Sequence, residues 1–328
     1  MRIPLPQRIS ALVLSILLVL LLALAGVLWW RVSAASPALE AQTRAAEELL
    51  GVRAAVADGV VEDPDGVLER RIDEQLAVLA PAAREKAGEP AAPEPGESPA
   101  RIFDDSAQRL YELSGSQDLE PRQAALLGSI AVSHWLTARG LEGTLQEVPS
   151  LEGRTADSLD ALLGASPADA ALSAGLCPDG AADDARSRAV GEALSELYAT
   201  TWSDDVLVAR TEADAREPVT EQSIRDVARV HAGQLGELRR SVPPGCQGIP
   251  QPAAAYAMPD ADPAQLRAQQ STALSERTFA ILAAEGGRSS AETWRSWSLR
   301  WLAVNTALGS SPASVPALPG TPAGAGTD

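Results

Sequence analysis

The sequence predicts an all-α chain: an N-terminal transmembrane helix, a helical stalk and helical pair, and a C-terminal antiparallel four-helix bundle. Three observations predict it. Apolar residues make up 45% of the 328 but aromatic residues only 4%, and alanine dominates the remainder. Alanine is the best intrinsic helix former, whereas sheets favour β-branched and aromatic side chains. A long uncharged run stands near the start of the chain. Finally, four segments of about 20–28 residues follow residue 177, each bounded by helix start and stop signals. Connections of that kind favour an up-down arrangement.

The apolar run extends from Ile9 to Trp30 and is interrupted only by Ser10, Ser15 and Gly26. At about 1.5 Å per residue it reaches roughly 33 Å, enough to cross a bilayer core. Arg2 and Arg8 precede it, and Trp29 and Trp30 close it. Positive charge before the span and tryptophan after it predict a cytoplasmic N-terminus with residues 35–328 outside. Residues 1–34 thus read as a membrane anchor whose partner is the lipid bilayer. The alternative is a signal peptide cut near Val32-Ser33-Ala34, which the length of the run disfavours. No cysteine follows closely, so a lipoprotein anchor is excluded. Either reading exports the chain.

Residues 35–84 form a juxtamembrane helical segment. An Ala- and Glu-rich helix over 39–56 precedes the turn Asp63-Pro64-Asp65-Gly66. A second helix over 67–79 carries Leu68, Ile72, Leu76 and Leu79 at helical spacing. Residues 85–100 (EKAGEPAAPEPGESPA) are too rich in Pro and Glu to bury a core and read as an extended linker. Residues 101–150 hold a helical pair, 102–113 and 120–139. Asp118 is the expected cap of the second helix, Pro121 sits in its first turn, and Leu127, Ile130 and His134 share one face. His134 reads as a core-edge residue.

Residues 151–176 are an irregular connector, and residues 177–309 the bundle. Its helices are expected from Asp183 to Arg210, from Thr220 as N-cap to just before Pro243, from Asp262-Pro263 to Gly286, and from a capping box at Ser289–Glu292 to Gly309. The Pro-, Ala- and Gly-rich residues 310–328 read as a disordered tail.

Three stretches of this region resemble an actinobacterial ferritin-like domain of unknown function: GIPQPAAAYAMP at 248–259, ALSERTFAILAAE at 273–285 and VARVHAGQLGELRR at 227–240. The upstream SIAVSHWL at 129–136 is similar to what precedes that domain. The resemblance covers about residues 177–309 and implies a four-helix fold on an exported chain, with no assigned reaction.

Ferritin-like di-iron sites take a Glu from each of two helices and a Glu-x-x-His from each of the others. Here His231 has Ala228 three residues before it, and the fourth helix has no histidine. Glu196 and Glu276 are the remaining inward candidates, and two carboxylates with one imidazole leave the ligand set incomplete. No metal or other cofactor is expected. His231 reads instead as a polar helix residue satisfied by Glu196 or Glu276. Two histidines and two cysteines also make a zinc cluster improbable. Trp294, Trp297 and Trp301 recur at i, i+3 and i+7 and read as buried packing, with a ligand-binding aromatic wall as the sharper alternative. There is no nucleophile elbow, phosphate-cradling glycine loop or Cys-x-x-Cys.

Cys177 precedes the first bundle helix and Cys246 follows the second, so an antiparallel pair of helices brings both to one end. Outside the cytoplasm they are expected to oxidise, for a stabilisation of roughly 4 kcal/mol in the chain-entropy model. The net charge of −17, from 44 acidic and 27 basic residues, repels phosphate backbones and disfavours nucleic acid as a partner. The function expected is a structural or protein-interaction module of the cell envelope. An enzyme or ligand carrier using His231, Glu196 and Glu276 is the alternative.

Overall fold

A computed structural model describes residues 36–88, 96–150, 172–173, 175–214, 218–257, 262–284 and 291–322. All of its regular elements are helical among the described residues, the only β pairing there being an isolated bridge between Ala181 and Gln247. The helices are α1 (Pro37–Ala57), α2 (Val67–Ala77), α3 (Pro81–Lys86), α4 (Pro99–Ser114), α5 (Pro121–Leu141), α6 (Ala185–Asp214), α7 (Pro218–Ser241), α8 (Pro263–Ala283) and α9 (Ala291–Gly309). No helix among the described residues is long and apolar enough to cross a membrane. The run from Ile9 to Trp30 lies outside them.

Local chemistry sets the helix starts. Ser36 and Ser98 each accept a bond from the backbone N–H three residues on, and each is followed by proline at the first helical position. The second of these caps starts α4 at Pro99, inside the stretch expected to be a linker. Glu120, rather than Asp118, is the N-cap of α5, because Pro121 takes the first helical position; the Glu120 N–H donates to Gln123 Oε1 at 3.3 Å. Asp262 caps α8 as expected, accepting from the N–H groups of Ala264 and Gln265 at 2.9 and 3.0 Å. Thr220 is the third residue of α7 and not its cap, since Pro218 begins the helix. The capping box expected at Ser289 and Ser290 lies outside the described residues.

Two main cores form. The first joins α1, α2, α4 and α5 through residues such as Leu49, Ile72, Phe103, Leu110, Ile130 and Trp135. The second joins α6, α7, α8 and α9 through Val190, Leu194, Leu238, Leu274 and Ile281. Helix α9 belongs to both: Leu299, Leu302 and Ala303 enter the first core, and Trp294, Trp297 and Trp301 the second. A helix apolar on two sides has no solvent face to spare and becomes a shared wall. Gly128 on α5 permits the close approach, because a Cβ there would stand 2.9 Å from a Leu299 methyl.

The tail expected to be disordered is ordered from Ser310 to residue 322. Val315 and Ala317 are buried, and three of its carbonyls are bonded by side chains of the helices beneath. Composition misled here because prolines that cannot join a helix keep carbonyls that can still accept bonds from helices beside them.

Candidate functional site

The antiparallel course of α6 and α7 places Cys177 and Cys246 at one end, with Cα atoms 5.8 Å apart and sulfurs at disulfide distance. At that end the chain is further tied by backbone bonds between Gly180, Ala182 and Gln247.

Midway along the same helices His231 meets Asp204. The imidazole Nδ1 lies 2.7 Å from Asp204 Oδ2, with the two residues 1% and 2% exposed. The expected partners, Glu196 and Glu276, are both half-buried and neither bonds His231. The correction is one of level: Glu196 stands eight residues, about 12 Å, below Asp204 along α6. His231 Nε2 is buried without a hydrogen-bond partner, as are Thr200 Oγ1, Gln234 Oε1, both amide atoms of Gln270, and Asn305 Oδ1. Thr200 is one turn from Asp204, and Gln234 one turn from His231, so each shares a face with its neighbour. An Asp-oriented imidazole is the geometry of a general base, but at this burial no substrate reaches Nε2. Among the described residues no group of three or more His, Cys, Asp or Glu could hold a metal ion.

The tryptophan stripe is buried, and a carboxylate organises it. Glu237 of α7 accepts from Trp297 Nε1 at 3.1 Å, Trp301 Nε1 at 2.8 Å and the Arg300 guanidinium at 2.6 Å. Trp294 and Trp297 meet edge to face at 5.6 Å between centroids. Glu237 thereby binds α7 to α9. It escaped sequence reasoning, because one glutamate among many shows no distinguishing spacing.

His134, expected at the edge of the core, is fully buried. Its Nδ1 lies 2.9 Å from Ser106 Oγ and its Nε2 2.8 Å from Gln75 Oε1. The amide oxygen can only accept, so Nε2 carries the proton and Ser106 donates to Nδ1. Burial, reinforced by the Arg71 guanidinium, pushes its pKa down to about 3.

Among the described residues, an accessible cleft of about 610 Å³ lies where the α4–α5 turn faces the start of α9 and the end of α8. Ser116, Gln117, Glu292, Trp294 and Arg295 line it. Arg295 closes one wall: it lies over the Tyr111 ring at 4.4 Å, donates to Tyr111 O at 2.9 Å and Ser114 Oγ at 3.0 Å, and pairs with Glu292 at 2.7 Å.

No family model matches the chain, and neither does any curated protein or solved structure.

Proposed function

We propose that the chain is a membrane-anchored, extracytoplasmic module of the cell envelope that recognises another envelope protein, with α6–α9 arranged as a metal-free, ferritin-like four-helix bundle. The observation that carries recognition over catalysis is the contrast between the sealed His231–Asp204 pair and the open cleft beside Arg295. A shared wall at α9 supports a fixed geometry for that cleft. The compartment is supported by the apolar run from Ile9 to Trp30 and by the cysteine pair at disulfide distance. The four-helix reading is supported by the antiparallel order that brings Cys177 to Cys246, Arg277 to Glu192 and Arg300 to Glu237.

The test places a photo-crosslinking residue at exposed Gln117, on the cleft, and at exposed Glu62 as a control, in the full membrane-bound chain carrying a C-terminal reporter. A discrete adduct from position 117 alone, with the reporter active outside, is the expected result. No adduct, or a reporter active only in the cytosol, overturns the reading.

The second reading, a ligand carrier or enzyme around His231, Glu196 and Glu276, is favoured by the unpartnered polar atoms near Asp204. Elemental analysis and native mass spectrometry of protein purified without chelator separate the two. Stoichiometric iron, manganese or a small molecule in the bundle would favour the carrier.

A further inference from the structure

Beyond Gly309 the chain makes a short turn at Pro312–Ser314, bends at Ala317 and Leu318, and turns again at Pro319 and Gly320, where the Thr321 N–H donates to Leu318 O at 3.2 Å. Val315, Ala317 and Pro319 are buried while Pro316 between them is exposed and Leu318 half-buried. The segment is thus docked by alternate residues, with those between them turned away from the helices.

The segment is held through its carbonyls. Ser133 Oγ donates to Pro316 O at 2.7 Å, Gln75 Nε2 to Ala317 O at 3.0 Å, and Ser129 Oγ to Pro319 O at 2.8 Å. Ser129 and Ser133 are one turn apart on α5 and therefore point the same way. His134 fixes the third donor: by donating to Gln75 Oε1 it turns the amide nitrogen toward the tail. The channel thus supplies donors and the segment supplies acceptors, and the two prolines have no N–H to leave unsatisfied. Gly320 ends the docked run at φ +75°, where a Cβ would stand 2.4 Å from Ser275 O and 2.7 Å from a Leu302 methyl. The fit is selective for an uncharged segment with small apolar residues at alternate positions and glycine at its end.

We propose that this channel is a recognition site for a short proline-containing peptide, filled in cis by residues 315–320 and open to the same segment of a second copy of the chain. The chain's own sequence is the occupant because the channel's donors and its glycine-only end are matched to it position by position. The two prolines fix φ in the segment, so it loses less conformational freedom on docking, which favours the bound form in cis or in trans.

The test uses the full chain and a labelled peptide with the sequence of residues 314–321. Gly320→Val expels the tail, so the peptide should bind this variant saturably. It should bind the wild-type chain at least about tenfold more weakly, because the cis segment competes. Adding Ser129→Ala and Ser133→Ala removes two donors and should weaken binding again by about tenfold or more. A scrambled peptide should not bind. Hydrogen exchange reports release of the tail, and circular dichroism reports intact helices. If Gly320→Val does not fold, Ser129→Ala with Ser133→Ala in the otherwise native chain serves instead; it should speed exchange at residues 315–321 without altering α5 or α9. The proposal is overturned by peptide binding that is absent or equal in wild type and Gly320→Val. Indifference to the serines, or tail exchange that neither variant accelerates, overturns it equally.

Discussion

His231 and Asp204 face each other across α6 and α7 at 2.7 Å, both almost wholly removed from water. A carboxylate and an imidazole buried together hold each other's polar atoms in place, and removing one strands the other.

Asp204→Ala is therefore expected to cost about 3–5 kcal/mol of unfolding free energy. Glu196→Gln and Glu276→Gln, at half-buried positions without that contact, should stay within about 0.5 kcal/mol. Urea denaturation of the three variants checks the contrast, and a comparable loss at Glu196 would restore it as the partner.

Replacing both Cys177 and Cys246 by serine should lower stability by about 2–5 kcal/mol. Thiol labelling of the native protein should count none before reduction and two after. Two labelled thiols in unreduced protein would contradict the bond.

Glu237→Leu leaves the Arg300 charge and the N–H groups of Trp297 and Trp301 without their acceptor. The expected cost is about 3 kcal/mol or more. Tryptophan fluorescence should also shift as the two indoles lose their partner. An unchanged spectrum would mean that the ring pair is held by packing alone.

His134 gives the fold an acid sensitivity. Its pKa is about 3 in the folded chain against 6.5 unfolded. The unfolded chain binds the proton and the folded chain does not. The contribution is complete above pH 6.5 and declines as pH falls toward 3, by about 1.4 kcal/mol per pH unit. His134→Gln, which does not titrate, should lose less stability than wild type between pH 6.5 and 5. Parallel curves would assign the sensitivity to another group.

Much of the secondary structure was legible because its signals are local. Asp262 announced α8, and the spacing of Leu68, Ile72 and Leu76 announced α2. The approach of Cys177 to Cys246 was legible too, since it needs only that α6 and α7 run antiparallel. Asp204 was not, although it stands in plain view on α6. Several acids occupy that helix, and choosing among them requires the level at which α7 crosses it. Glu237 was hidden for the same reason, and the two-sided burial of α9 because its second face meets α5, far away in sequence.

The sequence by itself determined the helical class, most of the helix limits and the meeting of the two cysteines. These follow from propensity, capping and chain direction, all of which act over a few residues or along one pair of helices. Only the tertiary structure decided that His231 takes Asp204, that Glu237 gathers two tryptophans and an arginine, and that residues 315–320 dock against Ser129 and Ser133. Such pairings depend on the axial level and rotation of whole helices, set by the packing of many side chains at once.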